Sequence, residues 1–211
     1  MTSMIYEIEI YDAPPGGMAA AEKQLANDVA RANGSKSLIA AWRTEIGPLN
    51  RFIHVHAFDG LEVRQAQVRE RSGQPFEAVR KSLVAAPVTR LMAPLAFSPA
   101  PGSGQIGPYY EFRSYTYRPD DLPEIERAWA ARIDERTKTS PLWAVWRSAD
   151  DGISTLVHIW PYRSLDERAE IRSRVGGWSR AQTADGAPRG NYAFVRQETL
   201  IAVPTSYSPA R

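Results

Sequence analysis

Apolar and polar positions alternate with the period of a β-strand over Ile5-Tyr6-Glu7-Ile8-Glu9-Ile10-Tyr11, and the turn Asp12-Ala13-Pro14-Pro15-Gly16-Gly17 ends that run. Met18, Ala21, Leu25, Val29 and Ala32 then recur at helical spacing up to Gly34. A strand over Ser37 to Ile46, a turn at Gly47-Pro48-Leu49-Asn50 and a strand over Arg51 to Phe58 make a hairpin. Asp59 with Glu62 reads as a capping pair for a helix to about Ser72, followed by a second helical stretch from Pro75 to Ala85. The strand Thr89 to Phe97 is interrupted by proline, which predicts an edge position. The order is β-α-β-β-α-β.

The pattern then starts again. Residues 5–64 aligned without gaps on 109–168 share thirteen identities, among them Tyr6-Glu7 with Tyr110-Glu111, Tyr11 with Tyr115, Trp42-Arg43 with Trp146-Arg147, His54 with His158 and Arg64 with Arg168. Duplication of a unit of about 100 residues is the simplest source of such a repeat. The second copy reads as strand Tyr109 to Tyr117, helix Leu122 to Thr137, strand Leu142 to Ser148, turn Asp150-Asp151-Gly152, strand Ser154 to Tyr162, and a helix capped by Ser164 with Glu167. The last strand, around Ile201 to Pro204, matches Leu91 to Pro94 at an offset of 110, so six extra residues lie near Gly176 to Arg189. Ser98 to Pro108 is uncharged and rich in Pro and Gly. The expectation is an α+β chain of two tandem domains, 1–98 and 109–211, with 99–108 as linker.

Composition narrows the chemistry. No cysteine is present, which removes disulfides, thiolate nucleophiles and Cys-ligated metals. The 26 Lys and Arg are mixed with 24 Asp and Glu, and no basic stripe marks a nucleic-acid face; Arg64, Arg69 and Arg71 read as the solvated side of a helix. No apolar run approaches a membrane span and no secretory signal opens the chain, so a cytoplasmic location is expected. No nucleophile elbow, phosphate-cradling loop, dinucleotide fingerprint or H-E-x-x-H is found.

The Tyr-Glu of the first strand and Trp-Arg…His…Leu-x-x-Arg across the hairpin and second helix resemble the NIPSNAP family, most closely in Trp42-Arg43-Thr44-Glu45-Ile46-Gly47-Pro48-Leu49-Asn50 running into His54, and in Tyr110 to Tyr115 and His158-Ile159-Trp160. The resemblance covers both halves and implies ferredoxin-like units of the dimeric α/β-barrel superfamily, in which two sheets close a barrel between subunits or between repeats. The second copy departs from the pattern at Asp151, where the first has Gly47.

Strand alternation sorts the candidate residues by face. Tyr6, Ile8 and Ile10 are expected to face the helices. That leaves Glu7, Glu9, Tyr11, His54 and His56 toward the barrel interior, with Glu111, Arg113, Tyr115 and His158 in the second copy. Glu7 with His54 and Glu111 with His158 are the candidate catalytic pairs, a carboxylate orienting an imidazole for proton transfer; a buried polar pair without chemistry is the equal alternative. Tyr11, Trp42, His56, Arg113, Tyr115 and Trp160 are candidate ligand-binding residues for a small apolar or aromatic molecule, with plain core packing as the alternative for the tryptophans. Arg43 and Arg147 suit an acidic ligand or, more commonly, a surface carboxylate. His54-Val55-His56 with Glu7 or Glu9 has metal-binding geometry, but Trp160 replaces His56 in the second copy and a packed pair is expected instead. Haem on a barrel histidine is what the wider superfamily implies as a variant. A homo-oligomer is expected, and a protein-interaction module using the outer helices or the insertion is the competing class.

Overall fold

A computed structural model describes residues 4–31, 36–72, 79, 81–149, 154–175 and 195–211. Its elements are β1 (Ile5–Asp12), α1 (Met18–Arg31), β2 (Leu38–Ile46), β3 (Arg51–Phe58), α2 (Leu61–Ser72), β4 (Val88–Pro94), β5 (Tyr109–Tyr117), α3 (Leu122–Ala130), α4 (Ile133–Thr137), β6 (Ala144–Ser148), β7 (Ser154–Tyr162), α5 (Leu165–Val175) and β8 (Arg196–Pro204). Residues 75–78 and 80 of the helical stretch expected over Pro75 to Ala85, the turn at Asp150-Asp151-Gly152 and the insertion near Gly176 to Arg189 lie outside the described residues.

The eight strands close into one barrel in the order β1-β3-β2-β8-β5-β7-β6-β4, with every neighbouring pair antiparallel. Each half contributes four adjacent strands, and within each the fourth strand neighbours the first, then the third, then the second. The halves join at two seams. At one, β4 runs beside β6 from Met92↔Ser148 to Pro94↔Trp146; at the other, β2 runs beside β8 from Trp42↔Pro204 to Ile46↔Ile201. The edge position expected for β4 is therefore corrected: β4 is paired on both sides, with β1 and with β6. Its proline is tolerated because Pro94 is the last residue of the strand, where the ladder ends. The Pro/Gly-rich connector is tied down as well. Gly104 bridges Ala210, and Arg211 N donates to Gly104 O at 2.6 Å.

The inward-facing residues correct the expected phase of the strands. Tyr6, Ile8, Ile53 and Val55 point into the barrel, where they meet Tyr110, Phe112, Val157 and Ile159 of the other half. Tyr6 stacks on Trp146 with ring centroids 4.4 Å apart, and Trp42 packs against Tyr110 and Phe112 at 5.1 Å each. The face carrying Tyr11, Phe52 and His54 lies instead beneath the helices. There α1 packs Ala21 and Leu25 on Tyr11 and Phe52, and in the second half Ile125 and Trp129 of α3 pack on Tyr115, Leu156 and Trp160. The physical reason is partnership. The middle of the lumen is bounded by strands whose inward residues are apolar, whereas the helices carry arginines that can reach a buried carboxylate.

Candidate functional site

The repeated carboxylates sit under the second helix of each half. Glu7 on β1 accepts from Arg64 Nε of α2 at 2.5 Å, and Glu111 on β5 accepts from Arg168 Nη2 of α5 at 2.6 Å. Glu111 also accepts from Thr199 Oγ1 at 3.1 Å, Arg113 Nη1 at 3.3 Å and Tyr162 Oη at 3.3 Å. Both carboxyls are buried, yet their acidities move in opposite directions. Burial, followed by the charge of Glu9, pushes Glu7 up against the pull of Arg64. Burial pushes Glu111 the same way, but the Arg168 hydrogen bond and the charge of Arg113 outweigh it and hold the group below its ordinary value. The expected pairs Glu7/His54 and Glu111/His158 are thus not the pairs formed. Across the ladder Glu7 lies opposite His56 and Glu111 opposite Trp160.

His54 and His158 share a strand position but not an environment. His54 places Nε2 2.8 Å from Tyr207 Oη and its ring 4.8 Å from that of Tyr11. His56 has Nδ1 3.2 Å from Ser37 Oγ and Nε2 3.1 Å from Glu9 Oε2, and Glu9 Oε2 also accepts from Tyr11 Oη at 2.5 Å. His158 accepts at Nδ1 from Trp160 Nε1 at 2.6 Å, between the rings of Trp129 and Tyr115 at 4.7 and 4.9 Å. Burial, with the charges of Arg113, Arg136 and Arg172 behind it, holds His158 well below the ordinary histidine value, so it is neutral at pH 7. Arg113 Nε donates to Tyr115 Oη at 2.6 Å, and the Arg136 guanidinium lies 4.1 Å over the Trp160 ring.

None of these three histidines faces the barrel interior, which corrects their expected placement along with that of Glu7, Tyr11, Glu111, Arg113, Tyr115 and Trp160. Trp42 does line the interior. A porphyrin does not fit the residues as they stand. His54 and His158 are each 2% exposed, and their rings pack against Tyr11 and Tyr207 and against Trp129 and Tyr115, leaving no open face for a macrocycle. Arg43 and Arg147 meet Glu22 and Glu126 at 3.7 and 3.4 Å, the surface pairing named as their commoner use.

The interior does hold a cavity, at one end of the barrel, of about 120 Å³. Its apolar wall comes from equivalent positions of the two halves, Ile8 with Phe112 and Ile53 with Val157, so it lies between the repeats; Leu200 adds to it. Ser114 and Glu198 make one side polar, and Arg51 and Arg90 stand at the rim. Asp12 holds Arg51 in a two-point fork at 2.7 and 2.9 Å, which raises the guanidinium still further from deprotonation. Sequence reading missed this site because it assigned the Tyr6 and Ile8 positions to the helix layer. The available signal was the apolar character of those positions in both copies.

With that geometry in view, the NIPSNAP family profile matches residues 6–99 and 110–209, which is most of the chain and one match per half. The chain belongs to the NIPSNAP family. Protein NipSnap of Drosophila melanogaster is 23% identical over 222 residues, spanning 99% of this chain and 79% of the relative. Among solved structures, a Fusobacterium nucleatum protein provisionally named a monooxygenase covers 96% of this NIPSNAP chain and 93% of its own, with a TM-score of 0.67 at 10% identity. A mutant chlorite dismutase from Candidatus Nitrospira defluvii covers 98% and 93%, with a TM-score of 0.58 at 11% identity. At these identities the likeness is one of fold: an α/β barrel closed by strands and flanked by helices. No helix among the described residues of this NIPSNAP protein is long and apolar enough to cross a membrane.

Proposed function

We propose that this NIPSNAP protein binds a small apolar or aromatic molecule in the cavity at the end of its barrel, with any polar end of the ligand directed to Arg90 and Arg51. The observation that carries this reading is the cavity itself, walled by Ile8, Ile53, Phe112 and Val157 beneath a charged rim. A space of about 120 Å³ is close to the roughly 150 Å³ apolar cavity known to hold one benzene ring. An apolar wall with a few polar groups at the rim is the usual composition of a small-molecule pocket. Each half is read as a ferredoxin-like unit, 1–98 and 109–211 joined by 99–108, and the pocket forms where the two meet. Proton transfer by Glu7, His54, Glu111 or His158 on such a ligand finds no support, because those groups lie on the far side of the sheet. Binding is therefore proposed, and conversion is not.

The test is a panel of small aromatic carboxylates and neutral aromatics, followed by methyl NMR. Binding should shift the methyl signals of Ile8, Ile53, Val157 and Leu200, and Val157→Phe should fill the space and abolish the shifts while leaving the fold intact. Shifts confined to other methyls, or undiminished binding to Val157→Phe, would overturn the reading.

A further inference from the structure

Beneath the helices of the first half, on the opposite face of the strands that wall that cavity, Glu9, His54 and His56 bring one carboxylate oxygen and two imidazole nitrogens within 4.8 Å of one another. The backbone explains why. His54 and His56 are two apart on β3 and so point to the same face, and Glu9 on β1 is directly opposite His54 in the ladder. We infer that these three side chains form a binding site for one divalent first-row transition ion of the zinc type, ligated by two histidines and one carboxylate.

The donor set is that of the three-protein-ligand sites in which zinc keeps a fourth position open, and the same two-His-one-carboxylate set also serves Fe(II). Donors on a tetrahedral ion at about 2.0–2.1 Å stand roughly 3.3 Å apart. Glu9 Oε2 and His56 Nε2 are already 3.1 Å apart, so closure requires a small inward shift of the remaining ligand. Each imidazole has a hydroxyl against one of its nitrogens, Ser37 at Nδ1 of His56 and Tyr207 at Nε2 of His54, and Tyr11 bonds the Glu9 carboxylate. Such outer partners orient the ligands of a metal site, and a hydroxyl that accepts from the imidazole N–H leaves the lone pair of the other nitrogen for the ion. The two histidines are 2% exposed and Glu9 is 14% exposed, so the carboxylate side is where an ion would enter.

The second half shows what replaces the ion when the ligands are gone. Arg113 stands where Glu9 does, opposite His158, and Trp160 stands where His56 does and occupies Nδ1 of His158 with its indole N–H. A permanent cation and an indole thus stand where the first half has a second carboxylate and a second imidazole. There Glu7 has its own cation in Arg64, while Glu9 meets His56 and Tyr11.

The full chain, stripped with a chelator and dialysed, is titrated with Zn²⁺ by calorimetry and with Co²⁺ by visible absorption. One ion per chain is expected, with the intense d–d bands of a four-coordinate Co²⁺ site. Glu9→Gln and His56→Asn should each weaken Zn²⁺ binding at least tenfold, and Zn²⁺ should raise the Tm of the natural chain but not of either variant. Circular dichroism reports whether each variant folds; if His56→Asn does not, Glu9→Gln decides, since Glu9 is the most exposed of the three. Absence of heat and of Co²⁺ bands, or binding that neither substitution changes, overturns the inference. Either outcome leaves the barrel-end pocket untouched, because none of its lining residues is a ligand here.

Discussion

At the scale of single residues, the conspicuous feature is that identical letters in the two copies have acquired different electrostatics. His158 is the clearest case. The unfolded chain takes up a proton near pH 6.5, the ordinary histidine value, while burial and three arginines keep the folded residue neutral to lower pH. Stability associated with this group is therefore complete above that pH and falls as the pH drops below it, by about 1.4 kcal/mol per pH unit until the folded residue itself titrates. Urea unfolding at a series of pH values should show this slope in the natural chain and lose it in His158→Gln; an unchanged difference between the two proteins from pH 7 to 5 would contradict the placement. Part of this chemistry was legible in the letters. Arg64 and Arg168 are identities of the repeat, each 57 residues after its glutamate, which is the trace a conserved ion pair leaves in a duplicated chain. Period alone places Arg64 on the helix surface, because it does not say that a long arginine turns inward. His54 and His56 were legible as a same-face pair, but Ser37 and Tyr207 carry no local signal and reach them only through the fold.

At the scale of elements, strand existence was plain from alternation and strand phase was not. Arg51 to Phe58, Tyr109 to Tyr117 and Ser154 to Tyr162 are strands with the bounds that the pattern predicts. Both faces of each strand are buried, however, and alternation cannot rank two buried faces; the deciding fact is which one the helices can serve with charge. The helix expected over Leu122 to Thr137 divides into α3 and α4 at Ala131 and Arg132, where the φ of Arg132 opens to −136°, a break no glycine or proline announces. The β2–β3 turn offers an element-scale prediction. Gly47 has φ +128°, and a Cβ there would stand 2.9 Å from Cβ of Leu200 on the other half's last strand. Gly47→Ala is expected to cost about 1–3 kcal/mol, the price of a strained backbone plus a close contact. The measurement is the urea midpoint at constant m-value, and a neutral result would mean that this turn is free to adjust.

At the scale of the whole molecule, one closed ring made from two repeats places the largest side chains on ground neither repeat owns. Trp42 touches Tyr110 and Phe112, and Tyr6 stacks on Trp146, so each half alone would show this surface to water together with the unpaired margins of its second and fourth strands. Residues 1–98 expressed alone should therefore self-associate, two copies pairing β4 of each with β2 of the other; light scattering would reveal it, and a stable monomer would contradict it. Tandem organisation was legible in the repeat, but closure within a single chain was not, since two repeats and two subunits offer the same strand patterns to the ring. That covalent closure has an evolutionary corollary. In a ring of two identical chains every substitution arrives twice, so an arginine entering opposite His158 would also enter opposite His54, and the carboxylate would vanish from both places together. Joining the halves in one gene lets a substitution be made once. One side can then carry Arg113 and Trp160 while the other carries Glu9 and His56, and the strands keep the same ladder register around the difference.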